Sequence, residues 1–101
     1  MAPARIFFYR EPDGRVNRLA ELGNALRIPG ADYLRDGIYE LRASYQGVHY
    51  RMLSFFPGQR VVVLSHGLTT EQQVPEKELD RAIERKKQVQ TNFAKHATEA
   101  G

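Results

Sequence analysis

From Leu41 through Thr70 the chain carries no Asp or Glu, while Arg42, Arg51, Arg60, His49 and His66 all fall in that stretch. Arginine outnumbers lysine by 11 to 4 across the whole sequence. A guanidinium stays charged at cellular pH and can make two parallel hydrogen bonds to phosphate oxygens. An imidazole ordinarily titrates near pH 6.5, so it can give or take a proton. Arg42 and Arg51 are therefore candidate phosphate clamps, and His66 is the first candidate for moving a proton, with His49 behind it. A sheet interior, which has little room for carboxylates, accounts for the acid-free zone as well. On that reading Arg42 and Arg51 are solvated sheet residues or pair with Glu40, and His66 is an ordinary side chain at a strand end.

The elements that must hold these residues follow from periodicity. Arg5 to Arg10 reads as a strand that breaks at Glu11-Pro12-Asp13-Gly14. Leu19, Leu22 and Leu26 recur at helical spacing, with Pro29-Gly30 as a stop. From Gly37, Tyr39, Leu41, Ala43 and Tyr45 alternate with polar residues as a half-buried strand does, which leaves Arg42 on the face away from Leu41 and Ala43. That strand ends at Gln46-Gly47. His49 to Phe56 and Val61 to Leu64 read as central strands joined through Pro57-Gly58. Pro75, Glu76 and Glu78 open a helix whose apolar side carries Leu79, Ala82, Ile83, Val89 and Phe93. Residues from about 91 to 101 are polar and small, as in a frayed tail. The expected fold is α+β: strand, helix, three-strand meander and helix, giving a mostly antiparallel four-stranded sheet with helices on one face.

Composition narrows the classes. The 101 residues, 42% of them hydrophobic, fit one domain spanning 1–101. No apolar run approaches the roughly 20 residues of a membrane span, and no leader pattern opens the chain, so a cytoplasmic protein is expected. The absence of cysteine excludes disulfides and thiolate metal sites. The acid-free zone offers no carboxylate pair for magnesium, and no cofactor is expected. A net charge of +3 is too small to diagnose a nucleic-acid binder by itself.

The segment LRDGIYELRASYQGVHYRMLSFFPGQRVVVLSHG, followed by a proline-opened helix containing ELDRAIER, resembles the RelE/HigB superfamily of bacterial type II toxins. The match is to its phage Gp49-like HigB branch and runs from about Leu19 to Val89. It is carried mainly by DG-x-YELR at Asp36 to Arg42 and by Tyr50-Arg51. The resemblance implies a small RelE-like domain with a concave sheet, ribosome-dependent cleavage of messenger RNA, and inhibition by a small antitoxin of the helix-turn-helix HigA kind. It also puts Arg42 and Arg51 where the family has basic active-site residues. Two features depart from the branch: a helical hairpin after the first strand is shortened, and the lysine pair after the fourth strand is replaced by Leu68-Thr69-Thr70-Glu71-Gln72-Gln73.

Metal-independent RNA cleavage needs a base for the 2′-hydroxyl, cations around the five-coordinate phosphorus, and an acid for the departing 5′-oxygen. Each proton transfer contributes about 10²–10⁴ in rate, and aimed fixed charge is commonly the largest contribution. His66 would move a proton and Arg42 and Arg51 would bind the phosphate. Tyr50 could stack on a base, whereas Tyr45 is more simply core. Lys77, Arg60 and Arg81 are candidate RNA contacts. Lys77, Arg81 and Arg85 also form an i, i+4, i+8 stripe whose arginines can pair with neighbouring acids on the same helix. The alternative function is a cleavage-dead relative that binds RNA or antitoxin.

Overall fold

The computed structural model describes residues 5–17, 20, 27–58, 60–68 and 73–100. Among them the strands are β1 (Arg5–Tyr9), β2 (Arg27–Arg35), β3 (Ile38–Tyr45), β4 (Val48–Gly58), β5 (Val61–Leu68) and β6 (Ala97–Glu99). The helices are α1 (Glu76–Thr91) and a single turn, α2 (Phe93–His96). The sheet order is β2-β3-β4-β5-β1-β6. Four of its pairings are antiparallel, and β1 runs parallel to β5.

The expected four-stranded, mostly antiparallel sheet is thus corrected to a six-stranded mixed one. One added strand, β2, contains the Pro29-Gly30 pair that reads as a helix stop in the sequence. Proline removes a ladder donor, which a sheet tolerates at its edge, and β2 is an edge strand. The other, β6, occupies the expected frayed tail: Tyr9 pairs with Ala97 and Phe7 with Glu99, and Arg5 holds the Glu99 carboxylate at 2.8 Å. Asn92 leaves the helical conformation and ends α1, so Phe93 starts α2 and meets the Phe7 ring edge-on at 4.9 Å instead of continuing the α1 stripe. The helix expected around Leu19, Leu22 and Leu26 lies outside the described residues.

The meander itself is set by its turns. Asp36-Gly37 and Gln46-Gly47 both take positive φ at both positions, the geometry whose twist suits a two-residue hairpin, and glycine relieves the strain at the second. These turns fix the register that places Leu41 against Met52 and Arg42 against Arg51. The central strands are apolar on both faces. On the α1 side Phe7, Ile38, Leu53, Phe55 and Val63 pack with Leu79, Ala82 and Val89. On the far side Phe8, Leu41, Ala43, Met52, Val62 and Leu64 form a second cluster, against which Val16 and Ala20 pack. Among the described residues no helix is long and apolar enough to cross a membrane.

Candidate functional site

Arg42 and Arg51 are directly opposite one another on β3 and β4, so their side chains leave the same face, the one that α1 covers in part. Like charges in that relation repel, and the carboxylate of Glu40 lies beside both. Arg51 donates to Glu40 from Nε at 2.7 Å and again from Nη2, and Glu40 is buried. The Arg42 side chain is 71% exposed and stands 3.3 Å from Asp32 and 4.0 Å from Glu40. Of the two sequence-level alternatives for Arg51, pairing with Glu40 is the one observed. The hollow beside it, about 340 Å³, is lined by Arg35 and Arg51 but also by Asp32, Glu40 and Glu76.

His66 reaches the same face by a different route. Along β5, Val62 and Leu64 belong to the far-side cluster, so simple alternation would send His66 there too. The β4–β5 ladder instead steps from Leu53↔His66 to Ser54↔Leu64, which makes Ser65 the extra residue of a bulge. Leu53 faces α1, and so does the imidazole opposite it. A bulge re-aims the side chains that follow it, and here it turns His66 toward the first turns of α1.

There the imidazole is held on both nitrogens. Ser65 Oγ is 2.8 Å from Nδ1, and Nε2 is 2.9 Å from the Glu78 carboxylate. A carboxylate can only accept, so Nε2 carries the proton, and Nδ1 accepts from the Ser65 hydroxyl. Burial, followed by the positive charge of Arg81, holds His66 below its ordinary value of 6.5; Glu78 pulls the other way and Arg85 adds to the depression. The ring is therefore neutral near pH 7 and able to accept a proton.

His66 and Ser65 border an open hollow of about 360 Å³ whose wall also includes Tyr9, Glu11, Arg15, Arg81 and Arg85. Among the described residues Arg81 pairs with no carboxylate. Arg85 is buried, donates to the Ser65 carbonyl at 2.6 Å and to Glu11, and lies over the Tyr9 ring at 4.3 Å. The pairing of Arg81 and Arg85 with acids of their own helix is thus corrected. Glu78 is taken by His66, and Glu76 and Asp80 are taken by Arg35 of β2. The structure brings His66 and Arg81 together in one hollow, and Arg42 and Arg51 together beside it. Tyr50 packs with Tyr45 against the far-side cluster. Arg60 sits in the β4–β5 turn at the opposite end of that hairpin, and Lys77 is exposed on the first turn of α1. Sequence reasoning missed Ser65, Glu78, Glu11 and Arg85; the helical offset of Glu78, Arg81 and Arg85 was the visible signal, but not what they would face.

Among the described residues no group of three or more His, Asp and Glu side chains is arranged to hold a metal ion. The family model described as phage derived protein Gp49-like (DUF891) matches residues 8–87. Searches of curated proteins and of solved structures each gave no match.

Proposed function

The chain belongs to the phage-derived Gp49-like family, which is associated with the toxins of toxin–antitoxin pairs, and from that premise we propose that it is a ribosome-dependent messenger RNA endoribonuclease of the RelE/HigB kind. The observation that carries this reading is a neutral imidazole, oriented by Ser65 and Glu78, at the wall of a hollow lined by three guanidinium groups and one carboxylate. An RNA strand is a chain of phosphates, and an unpaired guanidinium is what such a chain meets most favourably. Arg81 grips the phosphate at the reacting link, with Arg15 at the rim. A substrate 2′-hydroxyl displaces the Ser65 hydroxyl from Nδ1 of His66 and hands its proton to that nitrogen as its oxygen bonds to phosphorus, and the bond to the 5′-oxygen breaks, that oxygen taking a proton from solvent water. Glu78 then stabilises the imidazolium formed. Arg42, Arg51 and Lys77 extend the cationic path beside the hollow. A partner antitoxin restrains the toxin by covering this face or by keeping it off the ribosome.

The test is to add purified chain to ribosomes translating a defined message and to map new 5′ ends by primer extension. Codon-linked ends that vanish in His66→Asn support the proposal. A second reading, a binding module without cleavage, is favoured by the engagement of Arg51 with Glu40 and by the missing lysine pair; intact message together with ribosome or antitoxin binding selects it.

A further inference from the structure

The bulge that aims His66 is tied down by a side chain for which cleavage has no direct use. Arg85 reaches from the middle of α1 to three anchors. Nη1 donates to the carbonyl of Ser65, the extra residue of the bulge, at 2.6 Å. Nη2 donates to the Glu11 carboxylate just beyond β1, and the guanidinium plane lies over Tyr9 at the end of β1. Arg85 is buried, and a buried guanidinium is tolerated only when its charge and donors are met. A planar fork with five donors can serve a carbonyl, a carboxylate and a ring face together; an ammonium cannot. The carbonyl it holds belongs to the residue whose hydroxyl donates to His66 Nδ1.

We propose that Arg85 is the positioning residue for His66: by fixing the Ser65 carbonyl to the end of β1, it keeps β5 bulged and the imidazole turned toward Glu78, where regular alternation would return it to the far-side cluster of Val62 and Leu64. This rests on the reading of His66 as the proton-transfer group. Its physical content, a tethered bulge, is nevertheless measurable without any cleavage. Among the described residues the charged and titratable groups around His66 are Glu78, Arg81 and Arg85 from α1, Tyr9 at the end of β1, and Glu11 and Arg15 beyond it; on β4 the apolar Leu53 is opposite the ring, and Arg51 is two residues further along the same face.

Nitrogen-15 spectra of the imidazoles, recorded across pH in the folded protein, test it. In the parent chain His66 should show the Nε2-protonated form, a slowly exchanging Nε2 proton and a pKa below its ordinary value. Arg85→Lys keeps the positive charge but loses the fork. It should expose the Nε2 proton to rapid exchange and move the pKa upward by about one unit as the ring gains solvent. Arg85→Met, which also removes the charge, should shift it at least as far. Glu11→Ala leaves Arg85 in place with one anchor fewer, and should give a smaller change of the same sign; it also serves if the Arg85 variants fail to fold. A lowered unfolding midpoint with the same His66 tautomer, exchange and pKa in the folded Arg85→Lys chain, or in Glu11→Ala where only that variant folds, overturns the proposal, because it leaves Arg85 a merely structural role. Failure of the parent chain to cut messenger RNA would count against the toxin reading and leave this result standing.

Discussion

Two of the hollows beside α1 differ in what surrounds their arginines. Beside Arg51 the wall holds two guanidinium groups against the three carboxylates of Asp32, Glu40 and Glu76. Beside His66 it holds three guanidinium groups, of which Arg85 is paired with Glu11 and Arg15 with Asp13. The arginines of the first are already neutralised at close range, whereas Arg81 in the second forms no ion pair among the described residues. An anionic strand gains from cations that still have charge to offer, so the proposed site belongs at the second hollow, with Arg42 and Arg51 as its margin. Two arginines set directly across a ladder are easy to see in a sequence. The acids that share their face decide whether they are clamps or props.

Variants on the two sides should separate these roles. The largest effect is expected from His66→Asn, which should lower cutting by about 10²–10⁴ with the fold retained; primer extension gives the rate, and cutting that persists would remove His66 from the chemistry. Arg81→Gln should cost about 10² in cutting while leaving the urea midpoint unchanged, since Arg81 is exposed and holds no carboxylate among the described residues. Arg51→Ala should reverse that pattern in part. Its cutting should fall by roughly tenfold, and it strands the buried Glu40 carboxylate, at a cost of about 1–3 kcal/mol in denaturant unfolding. Adding Glu40→Gln to it should recover most of the lost stability and little of the cutting.

Smaller still is the pH dependence of stability. Because His66 titrates lower in the folded chain than its ordinary 6.5, the unfolded chain takes up the proton first as pH falls. This contribution is complete above about pH 6.5 and is lost below it, until the folded imidazole is protonated in its turn. Unfolding curves at about pH 7.5 and 5.5 should therefore differ less in His66→Asn than in the parent. Arg42→Ala, at a side chain 71% exposed, should change stability by no more than about 0.5 kcal/mol. A larger loss would mean that its contacts with Asp32 and Glu40 matter as those of Arg51 do.

Much of the meander was legible in the residues. Alternation along Tyr39 to Tyr45 correctly put Arg42 opposite Leu41 and Ala43, and Arg51 has the same parity as Leu53 and Phe55, which face α1. Pro75 with Glu76 and Glu78 marked the start of α1. Pro29-Gly30 misled because an edge strand obeys weaker rules than a central one. The tail misled because polar composition describes β6, a strand only three residues long, as well as it describes a loose end. For the site, residue type pointed to His66, but nothing in its neighbours announced a bulge.

What the sequence determined by itself was local: two tight turns with a glycine second, strands of period two, a proline-opened helix, and an acid-free stretch that carries arginines. These depend on φ, ψ and side-chain direction over a few residues, which the chain settles without reference to the rest. Tertiary structure alone decided that β1 lies between β5 and β6, that Ser65 bulges, and that Arg85 answers Glu11 across 74 residues of chain. Those outcomes depend on which faces must be covered and which buried charges must be met, and only the assembled molecule poses those demands.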